Sequence, residues 1–384
     1  MGKRIAKKLV AQGTTVVTEA AWNDELDAKH DKLVDWLRSQ KLAGVLIRRN
    51  ENVAWITGGA VELRVLTPCE TGVASLLVTA EGKRYYFTTE NEAPRLHDEE
   101  FGALDFEPVV FPWTADDTLA AAAKLAGGPL GSDTPSAGMS QVNLYPLRAA
   151  LSESEIARYR WLGTQSADAT VESLHQVEPG LSEYDLEAMT AANLLKRGIL
   201  PSVYLYAVDD RIYKYKHAVA RGARLKQYGM LNLCSRKWGL AISITRFIHF
   251  GALPSELLAR FHSAAQVNAA LLDASKAGAT SAELFRVAQQ AYAAQGFPGE
   301  ERFHHQGGTT GYFEREWVAT PAGSEVVVNN QAFAWNPSIR GGKAEDTVIL
   351  HDGKIEWLTA TPELPVINAT VNGKVYPAAG VLVK

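Results

Sequence analysis

The sequence predicts an α/β and α+β chain of two domains. An α/β layer domain occupies residues 1–150, and a second domain with internal two-fold pseudo-symmetry occupies residues 151–384. Three observations predict this. The 384 residues exceed the size at which a single core stops growing. Short β-rich runs alternate with helical stretches in the first part, the pattern of an α/β layer. In the second part, pairs of helices flank hairpin strands twice over.

Residues 21–41 place Leu26, His30, Leu33, Val34 and Leu37 at helical spacing with charges between them, which predicts an amphipathic helix. GVLIRR (44–49), VAWITGG (53–59), GVASLLVTA (72–80) and KRYYFTT (83–89) read as strands broken by Gly and Asn. PRLHDEEF reads as helical, and PVVF (108–111), ADDTLAAAAKLA (115–126) and residues 129–132 add a strand, a helix and a strand. The boundary falls before Ser152, which with Glu155 forms a capping box opening a long helix to about His175. Ser182 with Asp185 opens the next helix after the Pro179-Gly180 break. The stretch YGMLNLCSRKWGLAISITRFIHFG (228–251) holds two apolar runs separated by Ser-Arg-Lys-Trp-Gly, which predicts a buried β-hairpin with a longer loop. Helices over 255–277 and 281–295 follow, parted by Gly278.

Composition narrows the function. Hydrophobic residues at 46% and charged residues at 21% describe an ordinary globular protein. The net charge is -4 and Lys and Arg are scattered, so there is no basic stripe and no nucleic-acid partner is expected. The two cysteines, Cys69 and Cys234, lie far apart with no CxxC or Cys/His cluster, which fits reduced thiols in a cytoplasm. No apolar run is long enough to span a bilayer, and the basic start MGKRIAKKLV has too short an apolar part for a signal peptide. A cytoplasmic protein with no membrane partner is the expectation.

Six stretches carry a resemblance: KHDKLVDWLRSQKLAGVLIRRNENVAWITGG, then NLC and SITR of the hairpin, QGGTTG, AWNPS and AEDT. Over nearly its whole length the chain resembles the creatinase, aminopeptidase P and prolidase family, whose "pita-bread" catalytic domain also occurs in methionine aminopeptidases. The resemblance implies a creatinase-type N-terminal domain followed by that catalytic domain, and a homodimer, because the family's sites lie near subunit contacts. In its peptidases, two metal ions are held by two Asp on the hairpin strands, a His in a Gly-rich run, a Glu before Pro and a final Glu. Matched position by position, Asn232, Ser243, Gly308 and Asn336 replace the first four, and only Glu345 is kept. Hard divalent ions need several anionic oxygens or imidazoles. No metal and no other cofactor is therefore expected.

The remaining groups define a candidate site. His217, in YKYKHAVARG, matches the family's His before the hairpin, which resembles creatinase's proton-transfer His; the alternative is a partly buried His bonded to backbone. Of the tandem His304 and His305, strand alternation predicts that one faces the site. His304, four residues before Gly308, has the better family match, and His305 either lines the substrate or packs behind it. Arg315 and Glu316 suit a substrate carboxylate or form an internal ion pair. Glu345 is either a base for water or a buried carboxylate partnered by Arg246 or a His. Asn232, Ser243 and Asn336 would line the substrate, and Arg64 would reach the site of another subunit. The first reading is a metal-independent, creatinase-like hydrolase cleaving a C–N bond of a small carboxylate-bearing substrate. The second is a former peptidase that only binds a peptide or metabolite, as pita-bread domains of chromatin factors do. The third is an Xaa-Pro dipeptidase or aminopeptidase with an atypical metal site built from His217, Glu345 and one tandem His.

Overall fold

The computed structural model describes residues 10–384 apart from Gln12 and Pro68; the basic start of the chain, up to Leu9, lies outside the described residues. The chain divides into two compact units, one ending at Arg158 and the other running Tyr159–Lys384.

In the first unit a short antiparallel pair, Val10–Ala11 with Thr14–Thr15, precedes helix α1 (Glu19–Ser39), which is capped by the Thr18 side chain accepting from Ala21 N. The unit's main sheet is built of β1 (Gly44–Arg49), β2 (Thr71–Thr79), β3 (Arg84–Thr89), β4 (Glu107–Phe111), β5 (Leu130–Ser132) and β6 (Ser140–Gln141), in the order β4-β3-β2-β1-β5-β6. Helix α3 (Thr118–Ala126) packs Ala122 and Ala126 onto Leu46, Leu77, Tyr85 and Phe87 of this sheet. The run VAWITGG is not the expected strand. Its first four residues belong to helix α2 (Asn50–Ile56), all seven residues of which are buried, and its last three form the turn that follows. The Asp133 carboxylate accepts from the backbone N of Arg48 and Arg49 at 2.9 and 3.0 Å, turning the chain out of the sheet there. A short run buried all round has no alternation to separate helix from strand.

The second unit opens within helix α4 (Glu153–Gln176), whose capping box from Ser152 and Glu155 is formed as expected. Helix α5 (Glu183–Leu195) carries the Ser182–Asp185 capping box. Strands β7 (Leu200–Val208), β8 (Tyr228–Lys237) and β9 (Leu240–His249) follow, then helices α6 (Ser255–Ala274) and α7 (Ser281–Ala294). Next come β10 (Gly307–Thr310), β11 (Trp317–Val318), β12 (Gln331–Trp335), the short pair β13 (Ser338–Ile339) and β14 (Gly342–Lys343), β15 (Asp346–His351) and β16 (Lys354–Trp357). The hairpin β17 (Val366–Val371) and β18 (Lys374–Ala379) and strand β19 (Val381–Val383) end the chain. One sheet has the order β19-β9-β8-β7 and the other β11-β10-β12-β15-β16. Leu174, Val177 and Leu186 of the α4–α5 segment pack on Tyr206, Leu231 and Ile248 of the first sheet. Two helix pairs, each followed by antiparallel strands, give the unit its pita-bread organisation.

The central hairpin is longer and its turn tighter than expected. Strands β8 and β9 pair without a break from Tyr228↔His249 to Lys237↔Leu240. Only Trp238 and Gly239 turn, both at positive φ (53° and 78°), as a two-residue primed turn requires. Ser235, Arg236 and Lys237 read as loop because they are polar, but tertiary partners keep them in the strand. Ser235 Oγ meets Ser166 Oγ at 2.8 Å, and Arg236 donates to Tyr312 O and Glu314 Oε1. Strand β9 is stitched to the second sheet: Ser243 N donates to Thr347 Oγ1 at 2.8 Å, and Thr347 Oγ1 donates to Ser243 O at 2.9 Å. Among the described residues, no helix is long and apolar enough to cross a membrane.

Candidate functional site

The hairpin presents Asn232 and Cys234 of β8 opposite Thr245 and Ser243 of β9, and period-two alternation puts all four on one face. Against that face stands Glu345, just before β15. Its Oε2 accepts from Asn232 Nδ2 at 2.7 Å, Thr245 Oγ1 at 2.5 Å and Lys343 Nζ at 2.8 Å, while Oε1 accepts from Arg315 Nη2 at 2.9 Å. Burial alone would raise the pKa of this carboxyl. The charges of Lys343 and Arg315, with the Lys343 and Thr245 hydrogen bonds, outweigh burial and hold it down to about 2. Glu345 is thus an ionised, fully partnered carboxylate. Its cations are Lys343 and Arg315; Arg246, considered as a partner from the sequence, pairs instead with Asp346 at 2.6 Å.

A second group lies beside this one. His217 Nε2 and His304 Nε2 are 2.8 Å apart, and the His304 and His305 rings stack with centroids 4.4 Å apart. One nitrogen from each of the three rings lies within 4.8 Å of the others. The expectation that only one tandem His turns this way gives way to both. Strand alternation does not reach them, because β10 starts only at Gly307 and the preceding 3-10 turn ends at Phe303. Loss of solvent around the rings, and next the Lys343 charge, lower the His217 and His304 values, His304 to about 2. His305 falls to about 4, by burial first and Arg315 second. All three are neutral imidazoles near pH 7.

Arg315 reaches the hairpin as well as Glu345, its Nη1 donating to Ser243 Oγ at 2.8 Å; its Nε is buried without a partner. Ser243 Oγ also meets Cys234 Sγ at 3.1 Å, and burial pushes that thiol up to about 11, so Cys234 is no nucleophile. Glu316 turns into its own loop, where Oε1 accepts from Tyr312 N and Phe313 N. Asn336 is buried with an unpartnered Oδ1, and its backbone N donates to Gln306 O at 3.0 Å. Arg64 lies in the first unit and makes a two-pronged contact with Glu62 at 2.9 Å on both prongs. The residue that sequence reasoning missed is Lys343. Its signal was present in GGKAED: residues i and i+2 of an extended segment share a side, so a Lys two before the retained Glu was its natural partner.

The donor set does not fit the two metal ions that the family resemblance implies. Both oxygens of its one carboxylate are taken by protein cations, and Asn232, Ser243 and Asn336 bring no charge. At Gly308, where a His would be needed, a Cβ would stand 2.0 Å from the Trp317 carbonyl oxygen. Strand β11 has closed over the space a ligand side chain needs.

An α/β unit followed by a pseudo-symmetric unit with its polar groups gathered on a central hairpin is the two-domain architecture of pita-bread, peptidase-like hydrolases. The chain belongs to metallopeptidase family M24, which matches residues 158–352, and a Creatinase/Prolidase N-terminal domain matches residues 29–156. A search of curated proteins finds no match. Similar solved structures include the prolidase from Pyrococcus horikoshii OT3, at 20% identity and TM-score 0.72 over 87% of this chain and 98% of that one. The Xaa-Pro dipeptidase from Bacillus anthracis matches at 16% identity and TM-score 0.70, over 94% and 100%. The N-terminal domain of FACT complex subunit SPT16 from Cicer arietinum matches at 13% identity and TM-score 0.63, over 87% and 96%. At these identities the likeness is one of fold.

Proposed function

We propose that the chain is a hydrolase that cleaves a C–N bond of a small, carboxylate-bearing substrate without the family's dinuclear centre, with His217 as the proton-transfer group. The observation that carries this is the division of labour between the two clusters. Glu345 is held by four donors, two of them cations, and both of its oxygens are engaged, whereas the neutral His217–His304 pair stands beside it, with His217 exposed. His217 takes the proton of a water as its oxygen adds to the substrate carbon, then returns a proton to the leaving nitrogen as the C–N bond breaks. His304, at 2.8 Å, fixes the orientation of the first ring. Arg315 is proposed to share its guanidinium between Glu345 and the substrate carboxylate. Asn232, Ser243, His305 and Asn336 are proposed to line the substrate. The enzyme is proposed to work as a cytoplasmic homodimer, in which Arg64 of one subunit serves the other.

A second reading rests on the same saturation. A carboxylate held by Lys343, Arg315, Asn232 and Thr245 is also what a cleft used only for recognition would keep, and the SPT16 domain, of like fold, is a component of a complex. A panel of small carboxylates bearing ureido, amidino, cyclic amide or dipeptide bonds separates the two. Turnover that His217→Ala abolishes while binding persists supports hydrolysis; binding with no turnover in the unaltered protein supports recognition alone.

A further inference from the structure

We propose that His217, His304 and His305 form a mononuclear site for a transition-metal ion of the zinc, cobalt or nickel kind, separate from the Glu345 network. Three imidazoles from two distant parts of the chain bring one nitrogen each to within 4.8 Å of the others. Around an ion with Zn–N bonds of about 2.0–2.1 Å, three such nitrogens stand roughly 3.3 Å apart. The His217–His304 pair at 2.8 Å therefore opens by about half an ångström, and the widest pair closes by about 1.5 Å. The backbone permits this, because His217 lies outside regular elements and the tandem histidines fall between a 3-10 turn and β10.

The rings are ready to ligate. Each neutral imidazole keeps one N–H and offers one nitrogen lone pair, which is what ligation needs. The Nε2–Nε2 contact with His217 lets either ring be the donor, and the Nδ1 of His304 is buried with no partner among the described residues. The Nδ1 of His305 accepts from Gly307 N at 3.2 Å. An all-imidazole set selects zinc, cobalt, nickel or copper over magnesium, calcium or manganese, which prefer charged oxygens. Lys343 and Arg315 against the single charge of Glu345 leave one net positive charge alongside. That charge weakens a dication's hold and favours an anion, hydroxide or a carboxylate, in the fourth position. An ion here would take the lone pairs that proton transfer by His217 requires. Inhibition of turnover by zinc depends on the hydrolase reading, but binding of the ion does not.

The test is titration of chelator-treated full-length protein with Co2+, read by visible d–d absorption, followed by displacement with Zn2+. One Co2+ per chain, in a spectrum of low coordination number that zinc removes, is expected. His304→Gln and His305→Gln should each abolish it, and His97→Gln, on the surface of the first unit, should leave it intact. Melting of each variant in metal-free buffer checks folding, and His217→Gln replaces either one that melts early. No Co2+ spectrum, a spectrum that survives loss of both His304 and His305, or one lost only in Glu345→Gln would overturn the proposal.

Discussion

Lys343 and Glu345 show how one side chain decides what another can do. Their side chains are 8% and 3% exposed and 2.8 Å apart, so the pair is desolvated and each charge depends on the other. Lys343→Met should cost about 3–5 kcal/mol in urea unfolding, the usual penalty for leaving one partner of a buried pair behind. The double variant Lys343→Met with Glu345→Gln should cost clearly less than the sum of the two single changes, because the stranded charge is gone. In the first unit, His30 is buried beside Phe106, with ring centroids 5.8 Å apart, and its Nδ1 has no partner. Burial first, and the Arg84 and Lys29 charges next, lower it from 6.5 to about 3. The folded state keeps this ring neutral where the unfolded state takes a proton, so stability falls as pH drops below 6.5 toward 3. The slope from this one group is about 1.4 kcal/mol per pH unit. His30→Leu should flatten that part of the thermal stability profile. Of the residues at the candidate site, His217, His304 and Glu345 were legible because each sits in a run that can be matched. Lys343 carried only its i, i+2 spacing to Glu345 as a signal, and its pairing with Ser338 across β13–β14 holds it in that extended segment.

At the level of elements, β10 and β11 decide the room left at Gly308, the position that the resemblance matches to a ligand His. Gly308 pairs with Ala334 on one side and Val318 on the other, so its Cβ space is filled by the neighbouring backbone. Gly308→His should therefore destabilise the protein by about 3 kcal/mol or more and should gain no affinity for Mn2+, as calorimetric titration would show. A restored side chain that bound Mn2+ would mean that β11 yields readily. Helix ends were well marked in the sequence: the Ser152–Glu155 and Ser182–Asp185 boxes form as read, because caps are local chemistry. The hairpin turn and helix α2 were misread for a shared reason. Polar residues entered a strand through partners far away in the chain, and an apolar run became a helix because Asp133 turned it out of the sheet.

For the whole molecule, the two clusters predict a selective response to metals. Added Mn2+ should leave the melting temperature of chelator-treated protein unchanged, since one saturated carboxylate cannot hold it. Zn2+ should raise it in proportion to the logarithm of its concentration above Kd, if the three imidazoles bind it in the folded state alone. Differential scanning measurements across a series of ion concentrations check both. A rise with Mn2+ would mean that the ion displaces Lys343 and Arg315 from Glu345, against the saturation of that carboxylate.

The sequence by itself determined the two-part organisation, the capped helices, the buried hairpin and the residue types that stand where the family resemblance implies metal ligands. Each of these is a local pattern or a residue type at a matched place. Only the tertiary structure decided that both tandem histidines meet His217 and that Lys343 and Arg315 together neutralise Glu345. It also decided that the backbone of Trp317 fills the space beside Gly308. These are contacts between segments from about 30 to more than 80 residues apart, or depend on one turn's direction. The energy of such a charge pair or packed backbone exists only once folding has removed the water between its members.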